Sequence, residues 1–113
     1  MSAFIDWNGP DGPYKYWFLE DTSGGKLLSQ PGNYMFVKNT RDNLWRPIYV
    51  GIADDLRDRV MSHEVWDEAV GHGASRVMAH RNANRDARER EERALLGHWN
   101  PVCNTHHRTP KAS

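Results

Sequence analysis

The sequence contains a single cysteine, no excess of charge of either sign and no long hydrophobic run. Cys103 has no partner for an internal disulfide, and its isolation excludes a zinc site built from several cysteines. The 15 Lys and Arg residues balance 15 Asp and Glu residues, which disfavours a polycationic nucleic-acid binder. No apolar stretch approaches the roughly 20 residues of a membrane span, and the first residues lack the pattern of a secretory leader. We therefore expect a cytoplasmic protein with no membrane contact.

The sequence is rich in arginine and in aromatic residues. Five Trp, four Tyr and three Phe supply large buried surfaces, so the 113 residues can form one domain with a modest core. Eleven of the 15 basic residues are Arg, whose planar guanidinium matches the geometry of a phosphate better than Lys does. Zero net charge therefore leaves room for phosphate chemistry at one local site.

Local sequence patterns predict a mixed fold. Runs rich in β-branched and aromatic residues, bounded by turn residues, indicate strands, and apolar residues at helical spacing indicate helices. Strands are predicted over 15–20, 32–37, 48–52 and 75–80, with a long polar loop over 38–46, and helices over 56–70 and 85–99. We expect an α+β fold in which a small, mainly antiparallel three-stranded sheet is flanked by helices in the order β-β-α-β-α. An aromatic strand or hairpin precedes this pattern.

The chain divides into three parts. Residues 1–31 are expected to form an N-terminal extension that packs on the domain, 32–104 the domain itself, and 105–113 a flexible C-terminal tail. The aromatic run at 14–18 can pack as an added strand or stack on unpaired bases, and we favour packing.

Both predicted helices place charged or titratable residues on their apolar faces. At about 100° per residue, Arg59 and His63 fall within the apolar stripe of the first helix. Glu92 falls near the middle of the apolar face of the second helix, with Glu91 at the edge of that face. A carboxylate that faces a core needs a cation, a metal or a hydrogen-bond donor. The alternatives are a snorkelling Arg59, a half-buried His63 and an ion pair between Arg59 and Glu92.

Two tyrosines lie beside glycines in the first two β-rich runs of the domain. Tyr34 follows Gly32 by two residues, and Tyr49 precedes Gly51 by two. An aromatic residue in a strand is most often part of a core. The pairing of two phenols on adjacent strands is nevertheless a stronger signal than either tyrosine alone.

These positions resemble the motifs of the GIY-YIG nuclease family over residues 32–104. The two name motifs read Gly32-Asn33-Tyr34 and Tyr49-Val50-Gly51, and the later matches are, in order, Arg59, His63, Glu92, Leu95-Leu96, Pro101 and Asn104. The pattern is most similar to the excinuclease C-subunit type and to restriction enzymes with a histidine in the first helix. Asn33 replaces the apolar residue usual at its position, which indicates an exposed place on the strand.

The resemblance implies a metal-dependent endonuclease that hydrolyses phosphodiester bonds, with DNA as the expected substrate. Glu92 would hold one Mg²⁺ or Mn²⁺ ion. Tyr34 would act as the general base or orient the attacking water, with His63 accepting or relaying its proton. Arg59 would contact the scissile phosphate, and Tyr49 would position water or phosphate.

Four further residues complete the candidate site. Asn104 would orient the backbone near the metal, and Arg85, Arg88 and Gly51 would contact phosphate. The two arginines can instead pair with carboxylates along a solvated helix. The expected DNA is structured or presented by a protein partner, which can supply specificity. The chain itself is expected to be a monomer or a weak homodimer.

Two alternatives stay open. The first is a catalytically silent domain that binds nucleic acid or a protein partner through the same surface. The second is zinc binding by histidines near Cys103, but the spacing of His72, His80, His106 and His107 fits no common structural zinc pattern. Cys103 is therefore expected to be an inert core thiol.

Overall fold

A computed structural model of the chain describes residues 4–9, 12–19, 29–42, 44–61 and 64–107. The strands are β1 (Phe4–Trp7), β2 (Tyr14–Phe18), β3 (Gly32–Arg41), β4 (Leu44–Ala53) and β5 (Arg76–Arg81). The helices are α1 (Leu56–Met61), α2 (Trp66–Gly71), α3 (Arg85–Trp99) and α4 (Val102–His107). Over these described residues, no helix is both long enough and apolar enough to cross a membrane.

The strands form one antiparallel sheet of five strands in the order β1-β2-β5-β3-β4. The predicted long loop over 38–46 is wrong, because β3 and β4 pair as far as Arg41 and Leu44. Residues 38–41 of β3 are exposed. These positions lie beyond the core and lack the apolar alternation by which a strand is recognised in a sequence.

The N-terminal extension contributes two strands to the sheet, so the predicted number of three strands is wrong. β2 pairs with β5, and β1 pairs with β2 as a hairpin. Tyr14 and Tyr16 are buried, whereas Lys15 and Trp17 between and after them are exposed. This alternation places one row of aromatic side chains against the core and leaves the other in solvent. In the strand order, β4 forms one edge of the sheet and the extension forms the opposite edge.

Each face of the sheet carries its own core. The first face packs against α1, α2 and α4, and its buried residues include Tyr34, Phe36, Ala79, Leu56 and Cys103. The second face packs against α3, and its buried residues include Tyr16, Met35, Val50, Met78 and Leu95. We call these the α1 face and the α3 face.

The predicted helix over 56–70 consists of two short helices, α1 and α2. In a continuous helix, Val65 and Ala69 would point away from the side that carries Leu56 and Val60. The break lets all four side chains enter the same core. Val70, which the sequence pattern placed in the apolar stripe, is 46% exposed.

The second predicted helix is confirmed as α3. Both of its ends carry strong local signals. The side chain of Asn84 caps α3 by accepting a hydrogen bond from the backbone N–H of Ala87 at 2.9 Å. Asn100 ends the helix in the left-handed region with φ of 48°, directly before Pro101. α4 then extends to His107, so the first three residues of the predicted tail are helical. Residues 108–113 lie outside the described residues.

Candidate active site

The two motif tyrosines lie on the α1 face, on β3 and β4. Strand alternation places them there: Tyr34 pairs with Gly51, and Tyr49 lies two residues before Gly51 on the same face of β4. The ring centroids of Tyr34 and Tyr49 are 6.2 Å apart. Tyr34 is 1% exposed, whereas Tyr49 is only partly buried.

Gly51 provides the space that the Tyr34 ring occupies. The two residues are cross-strand partners, and a Cβ atom at Gly51 would lie 2.6 Å from both Cζ and Oη of Tyr34. The phenol oxygen of Tyr34 can therefore reach across β4 only because position 51 has no side chain. We assign Gly51 this packing role in place of the predicted contact with phosphate.

Gly51→Ala is expected to destabilise the protein by about 1–3 kcal/mol and to displace the Tyr34 ring. Gly97→Ala is the matched control, because no atom lies within 4 Å of a Cβ built at that position in α3. We expect this control to raise the free energy of unfolding by about 0.5–1 kcal/mol through helix propensity. Urea unfolding measures both, and equal stability of the Gly51→Ala variant and the original chain would contradict the packing.

Hydrogen bonds connect Arg59 of α1 to the two phenols. Arg59 donates to the oxygen of Tyr34. The two phenols are also hydrogen-bonded to each other, which raises the pKa of Tyr34 and lowers that of Tyr49. Burial is the largest influence on both groups and raises both pKa values above 10.0. Both phenols are therefore neutral at pH 7.

The guanidinium of Arg59 is also held by Glu64. Its two terminal nitrogens, Nη1 and Nη2, donate to the two carboxylate oxygens of Glu64 at 2.8 Å and 3.0 Å. The side chains are 38% and 63% exposed. Arg59 therefore forms an ion pair with Glu64, whereas the sequence pattern offered Glu92 as its partner. An exposed pair of this kind contributes about 0–1 kcal/mol, so an incoming phosphate can displace the carboxylate at small cost.

The two adjacent glutamates of α3 have different environments, and the predicted order of their burial is wrong. Glu91 is 4% exposed and accepts hydrogen bonds from the hydroxyl of Tyr16 at 2.5 Å and from the ring nitrogen Nε2 of His80 at 2.6 Å. Glu92 is only partly buried. Its carboxylate also raises the pKa of Tyr49, but less than burial does, and its effect is smaller than the opposing effects of Arg59 and Tyr34. Glu92 is thus the carboxylate of α3 that combines access to solvent with influence on the candidate site.

Asn33 and Arg88 form a buried polar contact between β3 and α3. Asn33 is fully buried, which corrects its predicted exposure, and its amide donates to the backbone oxygen of Arg88 at 3.1 Å. The side chain of Arg88 is 5% exposed, and it donates to the backbone oxygen of Asn82 and to Asp54. Arg88 therefore holds α3 on the sheet and is placed away from any phosphate in solvent.

Asn104 of α4 satisfies the outer backbone groups of the edge strand β4. Its side-chain oxygen accepts from the N–H of Val50 at 2.7 Å, and its amide nitrogen donates to the carbonyl of Val50 at 2.9 Å. An amide side chain offers the same donor and acceptor as a neighbouring strand. Asn104 thus fixes the backbone segment that carries Tyr49 and Gly51.

Two further candidates remain. His63 lies outside the described residues. Arg85 is exposed at the start of α3 and pairs with Glu89 at 3.5 Å. A depression of about 430 Å³ next to Arg59 is lined by Ile52, Ala53, Asp54, Asp55, Asp58 and Arg59. Because three of these residues carry carboxylates, this surface attracts polyanions weakly.

The aromatic run at 14–18 is divided between the two faces of the sheet. Tyr14 and Tyr16 pack in the core of the α3 face, as predicted. Trp17 is 47% exposed on the other side, where its ring lies 5.2 Å from that of Phe4. Pairing across β2, β5 and β3 places Trp17 in the same transverse row as Tyr34. Trp17 thus keeps an accessible ring on the face that holds the candidate site.

Solved structures of the GIY-YIG N-terminal endonuclease domain of UvrC from Thermotoga maritima are similar to this chain. The magnesium-bound structure has 23% sequence identity and a TM-score of 0.57, over 70% of this chain and 88% of that chain. A point mutant bound to its catalytic divalent cation has 25% identity and a TM-score of 0.56, over 70% and 87%. No protein-family model and no curated protein matches the chain. The chain therefore has the fold of the GIY-YIG endonuclease domain, as the motifs at 32–34 and 49–51 predicted.

Proposed function

We propose that the chain is a metal-dependent endonuclease that hydrolyses phosphodiester bonds in DNA. The observation that carries this proposal is the series of hydrogen bonds from Arg59 through Tyr34 to Tyr49. The negative charge of Glu92 raises the pKa of Tyr49. Arg59 would supply the cation for phosphate, Tyr49 the half-buried phenol and Glu92 the carboxylate. Its fold is that of UvrC endonuclease domains bound to a catalytic divalent cation, which supports the same class of reaction here.

Glu92 fits the role of metal ligand. Mg²⁺ and Mn²⁺ are hard cations that keep several water molecules, so one partly exposed carboxylate suffices to hold a hydrated ion. Glu91 does not fit, because Tyr16 and His80 already occupy its carboxylate. When bound at Glu92, such an ion supplies positive charge for the phosphoryl oxygens and acidifies water.

Arg59 is proposed to bind the scissile phosphate. Its guanidinium reaches solvent with 38% of the side chain exposed, while its hydrogen bond to Tyr34 fixes its position over the phenols. A planar guanidinium pairs with two phosphate oxygens in the same way that it now pairs with Glu64. Glu64 thus holds the guanidinium in the orientation that a phosphate requires.

Tyr49, and not Tyr34, is proposed to contact the attacking water. Tyr34 is 1% exposed and its hydroxyl is hydrogen-bonded to Arg59 and Tyr49, so water in the solvent does not reach it. Tyr49 shares one of these bonds and keeps part of its side chain at the surface. This reverses the assignment that the resemblance implies, and Tyr34 becomes the residue that positions Tyr49. His63 keeps its proposed role as a proton relay on the resemblance alone.

We expect cleavage to accelerate as the pH rises from about 6 to about 9. Burial raises the pKa of Tyr49, so the phenolate that can take a proton from water is a minor species whose population grows about tenfold per pH unit. kcat/KM should follow this population, and Tyr49→Phe should lower it by about 100-fold or more and flatten the profile. If kcat/KM of the Tyr49→Phe variant still rises with pH, the proton transfer belongs to another group.

The proposed activity is tested with purified protein on single-stranded, duplex and branched DNA, in Mg²⁺ or Mn²⁺ and in EDTA. Cleavage of at least one substrate that EDTA abolishes is the expected result. Absence of cleavage on every substrate would overturn the proposal. The pairing of Arg59 with Glu64 and the burial of Tyr34 favour, in that case, a silent domain that binds through this surface. DNA binding without cleavage would identify that alternative.

A further inference from the structure

Three potential metal ligands meet between α2 and α4, on different residues from those of the candidate active site. They are the carboxylate of Glu68, the imidazole of His72 and the sulfur of Cys103. One ligand atom from each lies within 4.8 Å of the other two. We call this group the α2–α4 cluster.

Local structure explains why these side chains converge. The backbone N–H of His72 donates to the carbonyl of Glu68 at 3.2 Å, so the two residues are one helical turn apart and share a side of α2. Cys103, the second residue of α4, belongs to the same core as Ala69 of α2. The thiol of Cys103 is hydrogen-bonded to Glu68. The cluster is therefore a contact between two helices that are distant in sequence.

Burial within the α2–α4 cluster is graded from the core to the surface. Cys103 has no exposed surface, Glu68 is partly buried and His72 is exposed. An ion can therefore reach the cluster from solvent past His72 and bind the sulfur at its inner end. This gradient supplies the entry path that a metal site needs.

We propose that Glu68, His72 and Cys103 bind a Zn²⁺ ion that joins α2 to α4. Sulfur, imidazole nitrogen and carboxylate oxygen together match the ligand preference of Zn²⁺, whereas Mg²⁺ prefers oxygen ligands alone. Three protein ligands leave the fourth tetrahedral position to water. On binding, the Cys103 thiol loses its proton to the solvent and the thiolate coordinates the metal.

The position of the ion couples it to the edge strand β4. Asn104 follows Cys103 directly and holds both backbone groups of Val50. A Zn²⁺ ion that fixes Cys103 to α2 therefore also fixes the residue that orders the strand next to Tyr49. This ion is distinct from the Mg²⁺ or Mn²⁺ proposed at Glu92, and its binding does not depend on nuclease activity.

Zn²⁺ binding is tested on the full chain after removal of metals with a chelator and exchange into chelator-free buffer. We expect one Zn²⁺ per chain by competition with a chromophoric indicator, and a rise in Tm that Mg²⁺ does not reproduce. Co²⁺ in place of Zn²⁺ should give the charge-transfer absorption of a thiolate ligand. Failure to bind one equivalent, or a Co²⁺ spectrum without thiolate absorption, would overturn the proposal.

Variants locate the ion. His72→Asn changes an exposed side chain and should weaken Zn²⁺ binding by roughly 100-fold or more without unfolding the protein. Cys103→Ala should remove the thiolate absorption, and Glu68→Gln should weaken binding as His72→Asn does. His98→Asn is the matched control, because His98 is exposed on α3 at the other face of the sheet. Unchanged Zn²⁺ affinity in the His72→Asn variant would show that the ion binds elsewhere. A loss of Zn²⁺ affinity in His98→Asn as large as that in His72→Asn would show the same.

Discussion

Glu92→Gln is expected to abolish metal-dependent cleavage, with kcat reduced by about 1,000-fold or more, while the free energy of unfolding stays unchanged. The substitution keeps the size of the side chain and removes the negative charge that would hold the cation. Glu92 is only partly buried, and a glutamine side chain keeps one oxygen as a hydrogen-bond acceptor, so the substitution should cost little stability. Single-turnover cleavage and urea unfolding on the same preparations measure the two effects.

The neighbouring glutamates of α3 provide the controls. Glu89→Gln alters a residue that pairs with Arg85 at the surface, and kcat should not change. Glu91→Ala removes a buried carboxylate from Tyr16 and His80, and should cost about 3 kcal/mol of stability. Its kcat per folded molecule should be retained. Cleavage by Glu92→Gln at the rate of the original chain would mean that the metal site lies elsewhere.

Arg59→Lys is expected to lower kcat/KM by about 100-fold although the positive charge is kept. A lysine ammonium cannot donate in parallel to two phosphate oxygens and cannot reproduce the fixed fork of the guanidinium. The substitution also removes the hydrogen bond that Arg59 donates to Tyr34. Loss of an oriented donor at a developing charge typically costs about 100-fold to 1,000-fold in rate. Steady-state kinetics on the substrate that the DNA screen identifies measures the effect.

The matched control for Arg59 is Arg57→Lys. Arg57 lies two residues earlier in α1 and is exposed. Its substitution should leave kcat/KM within about twofold, since an exposed lysine can replace an exposed arginine in a solvated environment. Both substitutions keep the positive charge, so unchanged kcat/KM in both would mean that the protein uses only the total charge of α1. That result would remove Arg59 from the site.

The parts of the fold that were predicted correctly have strong local signals. α3 was predicted with its observed ends because the segment is rich in helix-forming residues and is followed by Asn100-Pro101. The width of the sheet was not predictable in the same way. β1 is four residues long and gains its stability from pairing with β2, which a local pattern does not reveal. The division of 56–70 into two helices likewise depends on the shared core that both helices enter.

The sequence also located most of the candidate site but not the environment of each side chain. The spacing of Tyr34, Tyr49 and Arg59 follows the family motif, and the structure brings all three together. Glu91 and Glu92 differ by one position, which is about 100° around a helix, and the apolar residues near the end of α3 define its buried face loosely. The burial of Glu91 depends on its hydrogen bonds to Tyr16 of β2 and His80 of β5, which are distant from it in the sequence.

The capped edge of β4 restricts how two copies of the chain can associate. Asn104 occupies the outward N–H and C=O groups of Val50, so a strand from a second copy cannot add to β4 there without breaking both hydrogen bonds. Two protomers therefore cannot form one continuous sheet through the part of β4 that lies beside Tyr49. Any dimer of the chain must therefore be joined through a surface other than this segment of β4.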